Sequence, residues 1–158
     1  MNLHDRAGGG GAEPGKYLAF ITDIEEGLES RVGDDMVRYD VTLLDMESHT
    51  EVGDKPVWAI IDPTAKGFFG FANIATAADP VGSENVDESL KALKKYSRTL
   101  VGKYFIGVLG AKPYKDKETG EERQGTEFVR MLPLPEGYKV PGAPVTKKAG
   151  DDGEEIPF

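Results

Sequence analysis

The segment MVRYDVTLLD, residues 36–45, decides the fold because apolar and polar side chains alternate along it. The apolar positions are Val37, Tyr39, Val41 and Leu43. The positions between them carry Arg38, Asp40 and Thr42. This period of two predicts a half-buried strand of an antiparallel sheet, with one face in the core and a polar reverse face.

Strand patterns lie on both sides of this segment. KYLAFITDIEE (residues 16–26) predicts a first strand, and KPVWAIID (residues 55–62) predicts a third one after a polar turn through Gly53. In the first strand we expect one face to carry Leu18, Phe20 and Ile24. The other face would carry Tyr17, Ala19, Ile21 and Asp23. Farther along, GKYFIGVLGAKPY (102–114) and TEFVRMLPL (126–134) predict a hairpin that turns near Thr119 and Gly120.

Two helices are predicted between the third strand and this hairpin. In residues 63–79 the helical stripe consists of Phe68, Phe71, Ala72 and Ala75, preceded by Pro63 and Thr64 as start signals. In residues 85–100 the stripe consists of Leu90, Leu93, Ser97 and Leu100. Asn85 and Glu88 approximate a capping box for this second helix. Its outer face carries Lys91, Lys94, Lys95 and Arg98, which we interpret as solvated charges.

Five strands with helices between the third and the fourth follow the sequence order of an oligonucleotide/oligosaccharide-binding (OB) barrel. A small α+β sheet domain with its helices on one face is the alternative. We expect this mainly β domain to span residues 15–134, after a flexible glycine-rich arm at 1–14. The proline- and glycine-rich composition of residues 135–150 predicts a disordered linker, and residues 151–158 form a separate acidic tip in the sequence.

Composition and the absence of known motifs limit the classes of function that the chain could have. The 158 residues include no cysteine, which excludes disulfides, thiol nucleophiles and thiolate metal sites. No apolar run approaches the ~18 residues of a membrane span, so we expect a cytoplasmic protein without a membrane partner. The histidines, His4 and His49, lie far apart, and no phosphate-binding, nucleophile-elbow or dinucleotide motif is present. We therefore expect no catalysis, cofactor or metal.

The last eight residues, DDGEEIPF, combine four carboxylates with an apolar end, Ile156 and Phe158, in which Pro157 restricts the backbone. This segment resembles the acidic tip of bacterial single-stranded-DNA-binding proteins, in which acids precede Ile-Pro-Phe or Leu-Pro-Phe. The body is similar in pattern to phage-encoded OB proteins that bind single strands and carry a helical insertion before the fourth strand. The resemblance implies an OB fold that binds single-stranded DNA and a tip that docks replication, repair and recombination proteins. The docking residues would be Asp151, Asp152, Glu154, Glu155, Ile156, Pro157 and Phe158.

An OB surface of this kind combines stacking rings with a positive groove. The candidate rings are Tyr17, Trp58 and Tyr114, although a single tryptophan in a strand more often packs in the core. The candidate phosphate ligands are Arg31, Arg38, Lys112, Lys115, Lys117 and Arg123. Against this reading, the net charge of −9 includes four tip acids, which leaves −5 for the first 150 residues. A protein adaptor that uses the tip without binding DNA is therefore the alternative, and the sequence leaves oligomerisation open.

Overall fold

The computed structural model describes residues 13–141 as a mainly β domain with two short helices. The strands are β1 (Gly15–Glu29), β2 (Asp35–Leu44), β3 (Glu51–Asp54), β4 (Val57–Ile60), β5 (Tyr104–Lys115) and β6 (Glu122–Leu132). The helices are α1 (Phe69–Ala78) and α2 (Leu90–Arg98), both between β4 and β5 in chain order. Most of the predicted arm, most of the linker and the whole tip lie outside the described residues.

All strand pairs are antiparallel, and the sheet order is β3-β2-β1-β5-β6 with β4 also paired to β2. β2 is bonded on both edges: β1 runs along one edge, while β4 and β3 share the other. The sheet curls into a half-barrel. The five predicted strands correspond to β1, β2, β4, β5 and β6.

β3 was not predicted, because the chain reverses earlier than expected. The Asp45 carboxylate accepts the backbone N–H groups of Glu47 (2.9 Å) and Ser48 (2.8 Å), and His49 adopts a φ of 60°. These bonds hold the pKa of Asp45 below its usual range. The turn therefore lies at residues 45–50, and Gly53 pairs with Leu43 inside β3 instead of forming the turn.

The inner face of β2 is the predicted one, since Val37, Tyr39, Val41 and Leu43 are all buried. The faces of β1 follow the predicted grouping as far as Ile21 and differ from it beyond that residue. Directly paired residues share a face, so the pairs Ala19–Leu43 and Ile21–Val41 place Ala19 and Ile21 in the main core. A register shift after Ile21 then moves Ile24 opposite Tyr39, onto this same inner face.

Leu18 instead faces outward and forms a second, smaller cluster with Leu44 and Ile106. The segment after β6 covers this cluster with Leu134 and Tyr138. The Tyr138 hydroxyl donates to the Met46 carbonyl at 2.6 Å. Tyr138, which lies in the predicted disordered linker, is therefore packed on the outer face of the sheet.

The helices begin at residues other than the predicted ones. α1 starts at Phe69 after a 3-10 turn, Lys66–Phe68. The N-cap of α2 is Ser89, whose hydroxyl accepts the Ala92 N–H at 3.2 Å, so the predicted capping box of Asn85 and Glu88 is wrong. Ser89 is favoured because its oxygen reaches a free first-turn donor directly.

A buried hydrogen bond joins the sheet to α2. The Tyr39 hydroxyl donates to the Ser97 carbonyl at 2.8 Å, and both residues are fully buried. Burial raises the pKa of Tyr39, so the hydroxyl keeps its proton at neutral pH.

Replacing Tyr39 by Phe removes this bond without removing the ring. The Ser97 carbonyl keeps only the longer contact from the Leu100 N–H at 3.4 Å and the capping N–H of Thr99, so we expect unfolding free energy to fall by about 1 kcal/mol. Tyr17→Phe is the matched control, because the Tyr17 hydroxyl donates to the exposed Glu13 carbonyl. Urea unfolding would measure both variants; an equal loss in the two would show that the Tyr39 bond has no special role.

Candidate nucleic-acid interface

Trp58 and Arg38 meet on the outer face of the sheet. They are paired across β4 and β2, and the Arg38 guanidinium carbon lies 5.6 Å from the centre of the indole ring. The neighbours of Trp58 in β4, Val57 and Ala59, are buried, whereas Trp58 itself is 54% exposed. Strand alternation therefore turns the indole away from the core, and one of its faces is backed by a cation.

Carboxylates surround the same arginine. Glu25, paired with Arg38 across β1 and β2, lies 2.9 Å from its Nη2, and Asp40 lies 3.3 Å from its Nε. One guanidinium thus faces two carboxylates. A phosphate that approaches Arg38 also meets these two anions, which disfavours the predicted phosphate contact.

The β5–β6 hairpin carries the second group of predicted residues. Its turn is built by Asp116, whose carboxylate accepts the Glu118 N–H at 2.8 Å, and by Gly120 at a φ of 75°. That bond is the largest cause of a lowered pKa for Asp116. Thr119 and Gly120 lie in the turn as predicted, and exposed Lys115 and Lys117 flank Asp116.

Tyr114 forms a ring platform on this hairpin. It is 48% exposed, and its ring lies over Gly125, where an added Cβ would approach the ring to 3.3 Å. A ring that covers a strand glycine shields its backbone and is held in place by it. Beside it, Lys112 pairs with Glu127 at 3.2 Å, and Arg123 pairs with Asp116 at 3.1 Å.

The curl of the sheet brings the hairpin towards β4. Lys55, just before β4, donates its amine to the Thr126 carbonyl of β6. Because the strands between them alternate in direction, β4 and β6 run the same way. The Lys55 bond therefore links the edge of the sheet that carries Trp58 to the hairpin that carries Tyr114. No local pattern indicates a role for Lys55, because its partner lies far away in the chain.

Two predicted residues lie apart from these platforms. Tyr17 is half-buried against the main core, so the expectation that it is an exposed stacking ring is not met. Its position follows from the face that Ala19 and Ile21 share. Arg31 is exposed in the turn between β1 and β2, beside the exposed Val32.

Sequence reasoning missed further groups on the outer face. Phe20 and Tyr104 stack there with ring centres 4.6 Å apart, and burial raises the pKa of Tyr104 to about 12. Lys16 and Arg130 are exposed on either side of Val108 in one cross-strand row. Alternation assigns each residue to a face of its own strand, but only the register between strands shows that these two cations flank one position.

A separate hollow of about 250 Å³ lies between the helices, lined by Phe71, Ala75, Leu93 and Tyr96 among others. The Tyr96 hydroxyl donates to the Asp79 carboxylate at 2.9 Å at its edge. Within residues 13–141, no group of three or more His, Asp or Glu side chains is arranged to hold a metal ion. Over the same range, no helix combines the length and apolar character needed to cross a membrane.

The predicted docking residues of the tip, 151–158, lie outside the described residues. Comparison of the chain with protein-family models, curated proteins and solved structures gives no match. The function is therefore inferred from the chemistry of the outer face and from the sequence of the tip.

Proposed function

We propose that this chain binds and protects single-stranded DNA without strong sequence preference and recruits replication, recombination or repair proteins through its acidic tip. The observation that carries the proposal is the exposed indole of Trp58, backed by Arg38 on the outer face of the sheet. Proteins that bind single strands combine such flat rings with cationic side chains, because every base has a π-face and every nucleotide has a phosphate.

The strand order supports an OB barrel as the scaffold. Reading β4-β2-β1-β5-β6 around the curl, closure would join β4 to β6 as parallel neighbours and complete a five-stranded barrel. The bond from Lys55 to the Thr126 carbonyl lies at this closing edge. β3 then extends the edge of β2, and the two helices form the insertion before the fourth barrel strand.

Stacking supplies most of the binding free energy in this proposal. Trp58 offers its free face to one base and Tyr114 offers a second platform on the hairpin. Each stacked base contributes roughly 1–3 kcal/mol. Cations of the hairpin, including Lys112, Lys115 and Lys117, contribute contacts to the phosphates.

The tip acts separately from the sheet. Its acids accelerate encounter with a basic surface on a partner, an effect that weakens with salt. Pro157 limits the conformations that must be ordered on binding, and Ile156 and Phe158 supply the apolar side chains for a partner pocket.

A protein adaptor without DNA binding is the second candidate. It is favoured by the net charge of −5 that remains for residues 1–150 once the four tip acids are subtracted from −9. The carboxylates of Glu25 and Asp40 beside Arg38 point the same way. Under this candidate the tip alone would carry the function.

Trp58 is the only tryptophan of the chain, so its fluorescence reports directly on the proposed site. Titration with a dT oligonucleotide should quench this fluorescence, because a stacked base contacts the indole. Tyr114→Ala keeps the reporter and should weaken binding about 5- to 150-fold, the loss of one stacked base. Phe69→Ala is the control: Phe69 is 69% exposed on α1, and its loss should leave affinity unchanged.

The same titration distinguishes the two candidate functions. Quenching by single strands that exceeds quenching by the matched duplex supports DNA binding. If neither nucleic acid changes the fluorescence or the anisotropy of a labelled oligonucleotide, the DNA-binding proposal fails and the adaptor becomes the leading candidate.

Shortening the chain to residues 1–150 should separate the two activities. Single-stranded DNA binding should persist, because the stacking platforms remain, whereas capture of replication and repair proteins should be lost. Phe158→Ala, a single change in the full chain, should lose most of the captured proteins as well. Pull-down with identification by mass spectrometry measures this. Equal capture by the full and shortened chains would show that the tip does not dock partners.

A further inference from the structure

The cations on the outer face of the sheet fall into two classes. Five strand residues place a cationic side chain on this face: Lys16, Arg38, Lys112, Arg123 and Arg130. Three of them form ion pairs: Arg38 with Glu25 and Asp40, Lys112 with Glu127, and Arg123 with Asp116 and Glu121. Among the carboxylates of residues 13–141, none lies within 4.0 Å of Lys16 or Arg130.

Lys16 and Arg130, which have no carboxylate partner within residues 13–141, lie in one row. Lys16 pairs with Val108, and Val108 pairs with Arg130 on its other side. Two strand spacings separate them, about 10 Å. Both side chains are exposed.

A bulge in β6 places Arg130 in this row. The pairing skips Val129 between Phe128 and Arg130, which keeps Phe128 in the core and turns Arg130 outward. Val129 itself is 52% exposed and covers Gly110, where an added Cβ would lie 2.8 Å from its methyl group. Val129 and Gly110 therefore form an apolar patch between this row and Lys112 and Tyr114 on the hairpin.

Arg38 differs from this row in charge and in contacts. Its neighbours Glu25 and Asp40 leave the group with a net negative charge. A phosphate bound there would meet two anions and release few counterions. The guanidinium lies against the indole of Trp58, so Arg38 would act on a bound strand by holding the indole in position.

We infer that the phosphate backbone of a bound single strand crosses the row of Lys16, Val108 and Arg130, and that Arg38 is a positioning residue that holds Trp58 for base stacking. The inference rests on the proposed DNA binding and assigns different parts of it to different cations. Lys16 and Arg130 provide salt-dependent contacts in addition to those of the hairpin lysines. Arg38 keeps the indole ring of Trp58 in place and makes no phosphate contact.

The salt dependence of dT oligonucleotide binding tests this assignment. Each lost phosphate contact lowers the slope of log affinity against log salt by about 0.7 for a single strand. The double variant Lys16→Gln/Arg130→Gln should therefore lower the slope by about 1.4, with Trp58 quenching at saturation unchanged. Arg38→Gln should leave the slope unchanged and reduce the quenching at saturation, because the indole is no longer held.

Two further variants serve as controls. Lys91→Gln/Lys95→Gln removes the same charge from the exposed face of α2 and should change neither readout. Lys16→Arg/Arg130→Lys keeps both charges and should keep the wild-type slope, which distinguishes lost contacts from a disturbed strand.

Each outcome decides the inference. If the wild type binds and the Lys16→Gln/Arg130→Gln slope equals that of the wild type, the row is not the phosphate path. If Arg38→Gln lowers the slope by about 0.7, Arg38 is a phosphate ligand and the assignment is wrong. If the wild type does not bind at all, the proposed function fails first, and the inference with it.

Discussion

The pairing of β2 with three other strands is the constraint on which the rest of the structure depends. β2 is bonded along both edges, and its inner residues meet Ala19 and Ile21 on one side and Val57 and Ala59 on the other. Because side chains alternate, fixing this inner face also fixes the outer one. Arg38 is directed outward between Glu25 and Trp58 by the same register that buries Tyr39.

The sequence determines this strand clearly because its two faces differ in polarity. It determines β1 poorly, because both faces of β1 are apolar near Leu18 and Ala19. There the main core lies on one side and the covered cluster of Leu44 and Ile106 on the other. Period-two reasoning assumes that only one face is buried. Where a later segment packs on the outer face, as Tyr138 does, the pattern cannot say which face is the core.

The same limit applies to the candidate site. Trp58, Tyr114 and the hairpin lysines could be selected from the sequence, because residue type and position near a turn are local properties. The pair of Arg38 with Glu25, the bond from Lys55 to β6 and the row of Lys16 and Arg130 could not. Each depends on which residues face one another across strands, and the row depends also on a one-residue bulge. Local patterns predict elements; they do not predict which exposed charges are already neutralised.

That distinction bears on how an acidic protein could bind an anionic strand. Net charge is a sum over the whole surface, but salt screens charges beyond about 10 Å, so a bound phosphate interacts mainly with its immediate neighbours. The Glu25 and Asp40 carboxylates lie 2.9 and 3.3 Å from Arg38, whereas no carboxylate of residues 13–141 lies within 4.0 Å of Lys16 or Arg130. Because only Lys16 and Arg130 among the outer-face strand cations lack a carboxylate partner within residues 13–141, the proposed binding would draw most of its affinity from stacking. A strand held in this way would dissociate less readily with salt than one held by a basic groove, and would bind with little regard to sequence.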